Sequence, residues 1–290
     1  MYQAGLVLEG GGMKGLYTAG VLDYFLEKVI DFSSVYGVSA GACNMCSYLS
    51  KQKGRARDVN TDYLGDKNYC SLWSLITTGD LFNVDFCYHL IPEYLYPFDY
   101  DTYSKYQGKA YSVVTNIVTG RPEYLRVRDL KKDMPMVQAS ASLPLMARNV
   151  KIGKNLYLDG GIADSIPIAK SILDGNRKNV VILTKEEGYV RKPTDKLSLT
   201  LIKLMYAKYP KIYELMAERK KSYNDTLAYL YRQVENGNAY VIRPKYASKV
   251  ARIEKNKENL LALYQQGYDE AAAHYERLME YLGKETEQNG

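Results

Sequence analysis

The fold is decided at LVLEGGGMKGLYTAG, residues 6–20. An apolar run, Leu6 to Leu8, gives way to Gly10, Gly11 and Gly12, then to Lys14 and Gly15. Beyond them Leu16, Ala19, Leu22, Tyr24, Phe25, Leu26 and Val29 recur at helical spacing. The pattern predicts a buried strand over 3–9, a glycine turn and a helix over 15–29. A second apolar run, 33–38, ends in YGVSAGACN and predicts a strand followed by a small-residue helix at Ala40–Leu49. Strand, helix, strand, helix in this order opens an α/β fold with parallel strands.

The rest of the chain is read outward from there. Residues 61–106 are rich in Tyr, Asp, Asn and Pro, and predict short helices and loops able to cap a site. Residues 110–119 and 123–127 predict a hairpin, 136–142 a tightly packed helix stopped by Pro144, and 150–158 a second hairpin running into Asp159-Gly160-Gly161. A helix over 167–173 and a strand over 179–184 follow. After Pro193 the chain turns to charged amphipathic helix, with one strand-like piece at 239–243. A domain over 1–193 and a mainly helical extension over 194–290 are expected, the latter a flank or a small module of its own.

Composition sets the limits. The 290 residues are 46% hydrophobic and 25% charged, which fits a globular chain. No window approaches the ~20 apolar residues of a membrane span. The first residues, MYQAGLVLEGGG, lack a basic region and a long apolar core, so they read as a strand rather than a signal peptide. Cys43 and Cys46 form a C-x-x-C with no second pair at zinc spacing, so they read as packing residues in a reduced, cytoplasmic protein. The net charge of +6 leans weakly toward acidic partners such as anionic lipid. Tyrosine, with 29 residues against 5 Phe and 1 Trp, suits half-wet walls and rims.

Two motifs carry chemistry. Gly37-Val38-Ser39-Ala40-Gly41 is a G-x-S-x-G between strand and helix, the setting that exposes a nucleophilic serine. Gly10-x-Gly12-x-x-Gly15 satisfies a dinucleotide-binding fingerprint, with Asp31 near a ribose-binding position, yet the same glycines can turn amides toward an oxyanion above Ser39. Lys14 adds a positive charge. A base for Ser39 is scarce: His89 lies in the irregular region and His274 in a charged helix. Asp159 ends a strand before two glycines and could take the proton directly, or could simply form an Asp-Gly turn.

EGGGMKG, GVSAG, the ASASLP segment and DGG, in that order, resemble the patatin-like phospholipase family. The resemblance covers about 3–185 and implies a three-layer α/β core with a mostly parallel sheet. It implies Ser39 as nucleophile, Asp159 as base without histidine, an oxyanion hole at Gly10, Gly11 and Gly12, and Lys14 where the family often has Arg or Lys. The implied substrates are acyl esters of lipids, with no metal or cofactor. Glu9 and Asp164 depart from the common pattern. Residues 194–290 are similar, more weakly, to the helical extension of some bacterial members. Expected partners are a lipid or acyl ester and, through the basic apolar stretch 197–223, an anionic membrane surface; no nucleic acid is expected. The rival readings are a nucleotide-binding oxidoreductase, a histidine-dependent hydrolase and a non-catalytic lipid-binding protein.

Overall fold

A computed structural model describes residues 1–283. Its strands are β1 (Tyr2–Leu8), β2 (Phe32–Val38), β3 (Lys109–Asn116), β4 (Pro122–Arg126), β5 (Val150–Ile152), β6 (Asn155–Asp159), β7 (Asn179–Ile182) and β8 (Ala239–Ile242). They form one sheet in the order β5-β6-β3-β2-β1-β7-β8, with β4 paired to β3. β1, β2, β3, β7 and β8 run parallel; β4 and β6 are antiparallel to β3, and β5 is antiparallel to β6. β1 sits at the centre and is buried on both faces, as parallel strands are. Leu6 and Leu8 enter one core while Val7 enters the other, the two-residue alternation of a strand.

Helices cover both faces and make three layers. The helices are α1 (Gly15–Glu27), α2 (Ala40–Leu49), α3 (Arg55–Asp62), α4 (Leu72–Thr78), α5 (Tyr100–Ser104), α6 (Met134–Ser140), α7 (Ile168–Leu173), α8 (Lys196–Met205), α9 (Pro210–Glu235) and α10 (Lys257–Gly283). Residues of α1, α2 and α10 build the larger core, and residues of α7 and α9 the opposite one. A π-helix at Phe86–Leu95, which contains Pro92, joins α4 to α5.

The C-terminal region is built into this frame. β8 extends the sheet beside β7, in parallel. α10 lies on α1 at a glycine-to-backbone contact. A Cβ on Gly20 would stand 2.0 Å from the Tyr264 carbonyl oxygen, and one on Gly267 would stand 2.1 Å from that of Tyr17. Two tyrosines fasten the pair: Tyr17 donates to Glu270 Oε2 at 2.7 Å and Tyr264 to Asp23 Oδ2 at 2.7 Å. The helix expected over 136–142 starts earlier, at Met134, because Pro135 fits the first turn, where no amide donor is needed. Pro210 likewise opens α9 instead of kinking one long helix.

Candidate active site

The carboxyl ends of β1 and β2 carry the glycine loop and the serine turn side by side, with Leu8 in register with Gly37. Ser39 has φ 55° and ψ −123°. A side chain held in that left-handed region costs about 1–3 kcal/mol. The turn is forced by the closeness of α2 to both β2 and β1. A Cβ on Gly37 would lie 2.5 Å from Ala42 Cα, and one on Gly41 2.4 Å from the Leu8 carbonyl oxygen. Glycine at both ends therefore lets the chain reverse while Ser39 stays at the tip. Ser39 itself is 8% exposed.

Strand register brings Asp159 to the same place. β4 occupies one edge of β3 from Tyr111 to Thr115. β2 runs along the other edge and ends with Val38 beside Val113. β6 takes over that edge one residue on, with Asp159 beside Val114. The last residue of β6 thus meets the turn that follows the last residue of β2. Two serines of the 139–144 segment brace both backbones. Ser39 N–H donates to Ser140 Oγ at 2.9 Å, and Ser140 Oγ donates to the Val113 carbonyl at 2.6 Å. Asp159 N–H donates to the Ser142 carbonyl at 2.9 Å.

Asp159 is 1% exposed. Its Oδ1 accepts the Gly161 N–H at 2.7 Å. Its Oδ2 has no hydrogen bond within the described residues. Burial raises the pKa of this carboxyl; the nearby Ser39 hydroxyl and then the Arg219 charge oppose that rise. The serine is thus near enough to influence the acid while falling short of hydrogen-bond geometry.

The glycine loop packs against the serine. A Cβ on Gly10 would stand 2.7 Å from Ser39 Cβ. No hydrogen bond within the described residues takes up the amides of Gly10, Gly11 or Gly12. Glu9, the departure noted in the sequence, anchors the loop. Its carboxylate accepts Thr184 N–H at 2.6 Å, Thr184 Oγ1 at 3.0 Å and Tyr223 OH at 2.6 Å. Lys14 follows in the short turn before α1 and lines the cavity beside the loop.

Other sequence candidates fall elsewhere. Asp31 precedes β2 and pairs with Lys51. It stands a strand's length from the glycines, roughly 20 Å at ~3.3 Å per residue. His89 is exposed. His274 meets Tyr240 OH through Nδ1 at 2.7 Å, between β8 and α10. Neither histidine lines a cavity that Ser39 lines. Asp164 accepts Tyr124 OH at 2.7 Å, away from Ser39. Cys43 and Cys46 are free thiols of α2, and burial pushes the Cys43 thiol up to about 11.

Ser39 stands between two cavities. One, of about 180 Å³, is walled mainly by Leu16, Phe82, Ile91, Val137 and Met146, and is largely apolar. The 61–106 segment supplies one side of it through Tyr69, Phe82 and Tyr88. The other, of about 250 Å³, holds Asp159 together with Lys14, Lys185, Arg191, Arg219 and Arg252. Gly12, Ser39, Leu143 and Arg252 line both.

Comparison with known proteins bears on residues 6–171, which match the family model described as Patatin-like phospholipase. The chain belongs to the patatin-like phospholipase family. That match spans the glycine loop, Ser39 and Asp159. A second model, Domain of unknown function (DUF6363), matches 209–283 and takes in Arg219 and Arg252. The Uncharacterized protein YjjU of Escherichia coli (strain K12) is 31% identical over 184 residues, 62% of this chain and 51% of that protein. The Probable lipid hydrolase 463L of Invertebrate iridescent virus 6 is 25% identical over 192 residues, 61% of this chain and 66% of that protein. The chain thus spans between half and two thirds of the curated relatives it matches. Among solved structures, VipD from Legionella pneumophila aligns over 98% of this chain and 67% of that one, at 16% identity and a TM-score of 0.47. No helix among the described residues is long and apolar enough to cross a membrane.

Proposed function

We propose that the protein is a lipid acyl hydrolase, a carboxylic ester hydrolase that works through Ser39 and Asp159. Asp159 Oδ2 takes the Ser39 hydroxyl proton as Ser39 Oγ attacks the ester carbonyl carbon. The carbonyl π electrons move onto oxygen, and the amides of Gly10, Gly11 and Gly12 hold the oxyanion, each such donor being worth about 3–4 kcal/mol in serine hydrolases. As the tetrahedral intermediate collapses, the C–O bond to the alcohol breaks and Asp159 returns the proton to that oxygen. Water then attacks the acyl-serine ester, gives its proton to Asp159, and Ser39 leaves reprotonated. The family membership and the relative named as a probable lipid hydrolase support the reading at the level of the reaction class.

The observation that carries the residue assignment is the buried Asp159 with an unshared Oδ2 beside a strained Ser39. Burial supports the role of base, since a raised pKa makes a carboxylate a better proton acceptor. Lys14 is read as a substrate-binding cation, and the apolar cavity as the acyl pocket. A fluorophosphonate probe tests the serine. Labelling of the wild type and none of Ser39→Ala is expected; equal labelling of both would sink the assignment. Hydrolysis of a medium-chain ester in detergent micelles, followed by fatty-acid release, tests the activity itself.

A further inference from the structure

The proposed chemistry leaves one buried side chain without a role. α9 buries Ile212, Met216, Arg219, Tyr223, Leu227 and Leu230. Arg219 alone among them is charged. Seating a guanidinium in an otherwise apolar seam forfeits hydration that an aliphatic side chain would not lose. Arg219 has no ion pair among the described residues. Its one hydrogen bond among them runs from Nε to the Gly161 carbonyl at 2.8 Å. Packing of α9 therefore gives no reason for an arginine at this place.

Gly161 supplies the reason. Its N–H donates to Asp159 Oδ1 at 2.7 Å, and its carbonyl accepts Arg219 Nε and Ser165 Oγ, both at 2.8 Å. Glycine has the loosest backbone of any residue, so anchoring its carbonyl restricts where its N–H can point. A Cβ on Gly161 would stand 3.1 Å from Asp159 Oδ1 and 3.2 Å from Arg219 Nη2. The carboxylate and the guanidinium thus flank a single glycine, with no room for a side chain between them. Asp159 is faced by Ser39 from the turn before α2, by Arg219 from α9 and by Arg252 from the segment before α10, and Cys43 of α2 feels its charge. Lys14, Lys185, Arg191 and Glu9 lie further round the same cavity. Of the two arginines that oppose the effect of burial on Asp159, Arg219 acts more strongly than Arg252.

We infer that Arg219 is a positioning residue for the general base: through Gly161 it holds the Asp159 carboxylate toward Ser39. The inference rests on the hydrolase reading for the role of Asp159, and on the hydrogen-bonded chain from Arg219 through Gly161 to Asp159 for the link itself. It also gives the C-terminal region a task. Asp159 lies within the matched residues 6–171, whereas Arg219 comes from the domain of unknown function. A base carried by one segment is oriented from the other.

Arg219→Met tests this, because it fills the same place with an apolar side chain while removing both charge and donor. The Gly161 carbonyl keeps Ser165 Oγ. Replacing a buried ion by an apolar residue of similar volume is often neutral or stabilising, so the variant should melt near the wild type or above it. Its kcat on a medium-chain ester in micelles should fall about tenfold or more, with KM within about threefold, the mark of an interaction needed only in the transition state. The base must be ionised to act, and loss of the cation leaves burial less opposed. The acid limb of kcat should therefore move up by about one pH unit. Arg219→Lys keeps the charge and loses the planar fork; its acid limb should stay with that of the wild type and its kcat should fall between the two. An acid limb unmoved in Arg219→Met, a kcat within about threefold of wild type, or a loss of activity matched by a loss of folded protein would overturn the inference. A second arm needs no turnover. NMR of Ser39→Ala protein with isotope-labelled aspartate carboxyls, the Asp159 signal assigned from Asp159→Asn, should show that carboxyl titrating at higher pH once Arg219→Met is added; coincident titrations would overturn the link. If the wild type hydrolyses no ester, the hydrolase reading fails, while the NMR comparison still judges whether Arg219 governs Asp159.

Discussion

Replacing Asp159 by Asn separates what the carboxylate does for chemistry from what it costs the fold. Asparagine keeps the oxygen that accepts the Gly161 N–H at 2.7 Å. It exchanges the unpartnered Oδ2 for an amide nitrogen that cannot take the serine proton. A positioned general base is worth about 10²–10⁴-fold, so kcat should fall by about that factor, equivalent to roughly 3–5 kcal/mol at 1.36 kcal/mol per decade. Stability should move the other way. Burial lifts the folded-state pKa of Asp159 above its ordinary 3.8. Between those two values the native state holds a proton that the unfolded state has lost. Wild-type stability from this group is therefore complete below about 3.8 and declines as pH rises through the folded value. The asparagine variant has no such decline. Thermal unfolding of both proteins from pH 4 to pH 8 should show the variant gaining on the wild type as pH rises. A variant that keeps more than a tenth of the activity, or that loses ground with rising pH, would refute the argument.

Three further tests address the scaffold. Ser39→Gly should melt a few degrees above Ser39→Ala, because glycine alone relieves the φ of 55°, a strain of about 1–3 kcal/mol against about 0.5–1 kcal/mol of added chain entropy; equal melting would mean the turn is unstrained. Gly267→Leu should cost about 3 kcal/mol or more in urea unfolding, since its Cβ would sit 2.1 Å from the Tyr17 carbonyl oxygen; a change under 1 kcal/mol (within ordinary surface scatter) would deny the tight α1–α10 contact. Leu197, Leu201 and Leu204 are 71%, 42% and 70% exposed on one side of α8, near Lys196 and Lys203. Flotation with anionic liposomes should carry the wild type at low salt and lose it when Leu201 and Leu204 are both changed to Glu; failure of the wild type to float would remove the membrane contact.

The elements near the serine are readable because their signals are local. A strand, a G-x-S-x-G and a small-residue helix must form a sharp turn, and the structure gives Ser39 that backbone. Sequence leaves Asp159 open to a plain turn reading, since its meeting with Ser39 depends on which edge of β3 each strand takes. That is a long-range fact which no spacing carries. ASASLP was visible as a tightly packed segment, but the use of Ser140 and Ser142 to hold two backbones follows only from packing. The same holds for Glu9, whose partners lie 175 and 214 residues away. Arg219 carries no local signal of its burial. In an amphipathic basic helix a charge is expected to face water, and only the docking of α9 turns this one inward at 8% exposure. The strand-like piece at 239–243 was legible from its residues, whereas its parallel place beside β7 was not.

The seating of α10 on α1 also sets a timetable for the protein's birth. Tyr17 and Glu270 are 253 residues apart. At ~5–20 residues per second, a ribosome needs about 13–50 s to supply the second after the first. Throughout that interval the buried flank of α1 has no mate, and its apolar side chains are open to chaperones or to neighbouring nascent chains. The arginines of the basic cavity arrive in the same late portion. A chain stalled before α10 would therefore display a finished serine turn on an unfinished body, without the helix that closes it.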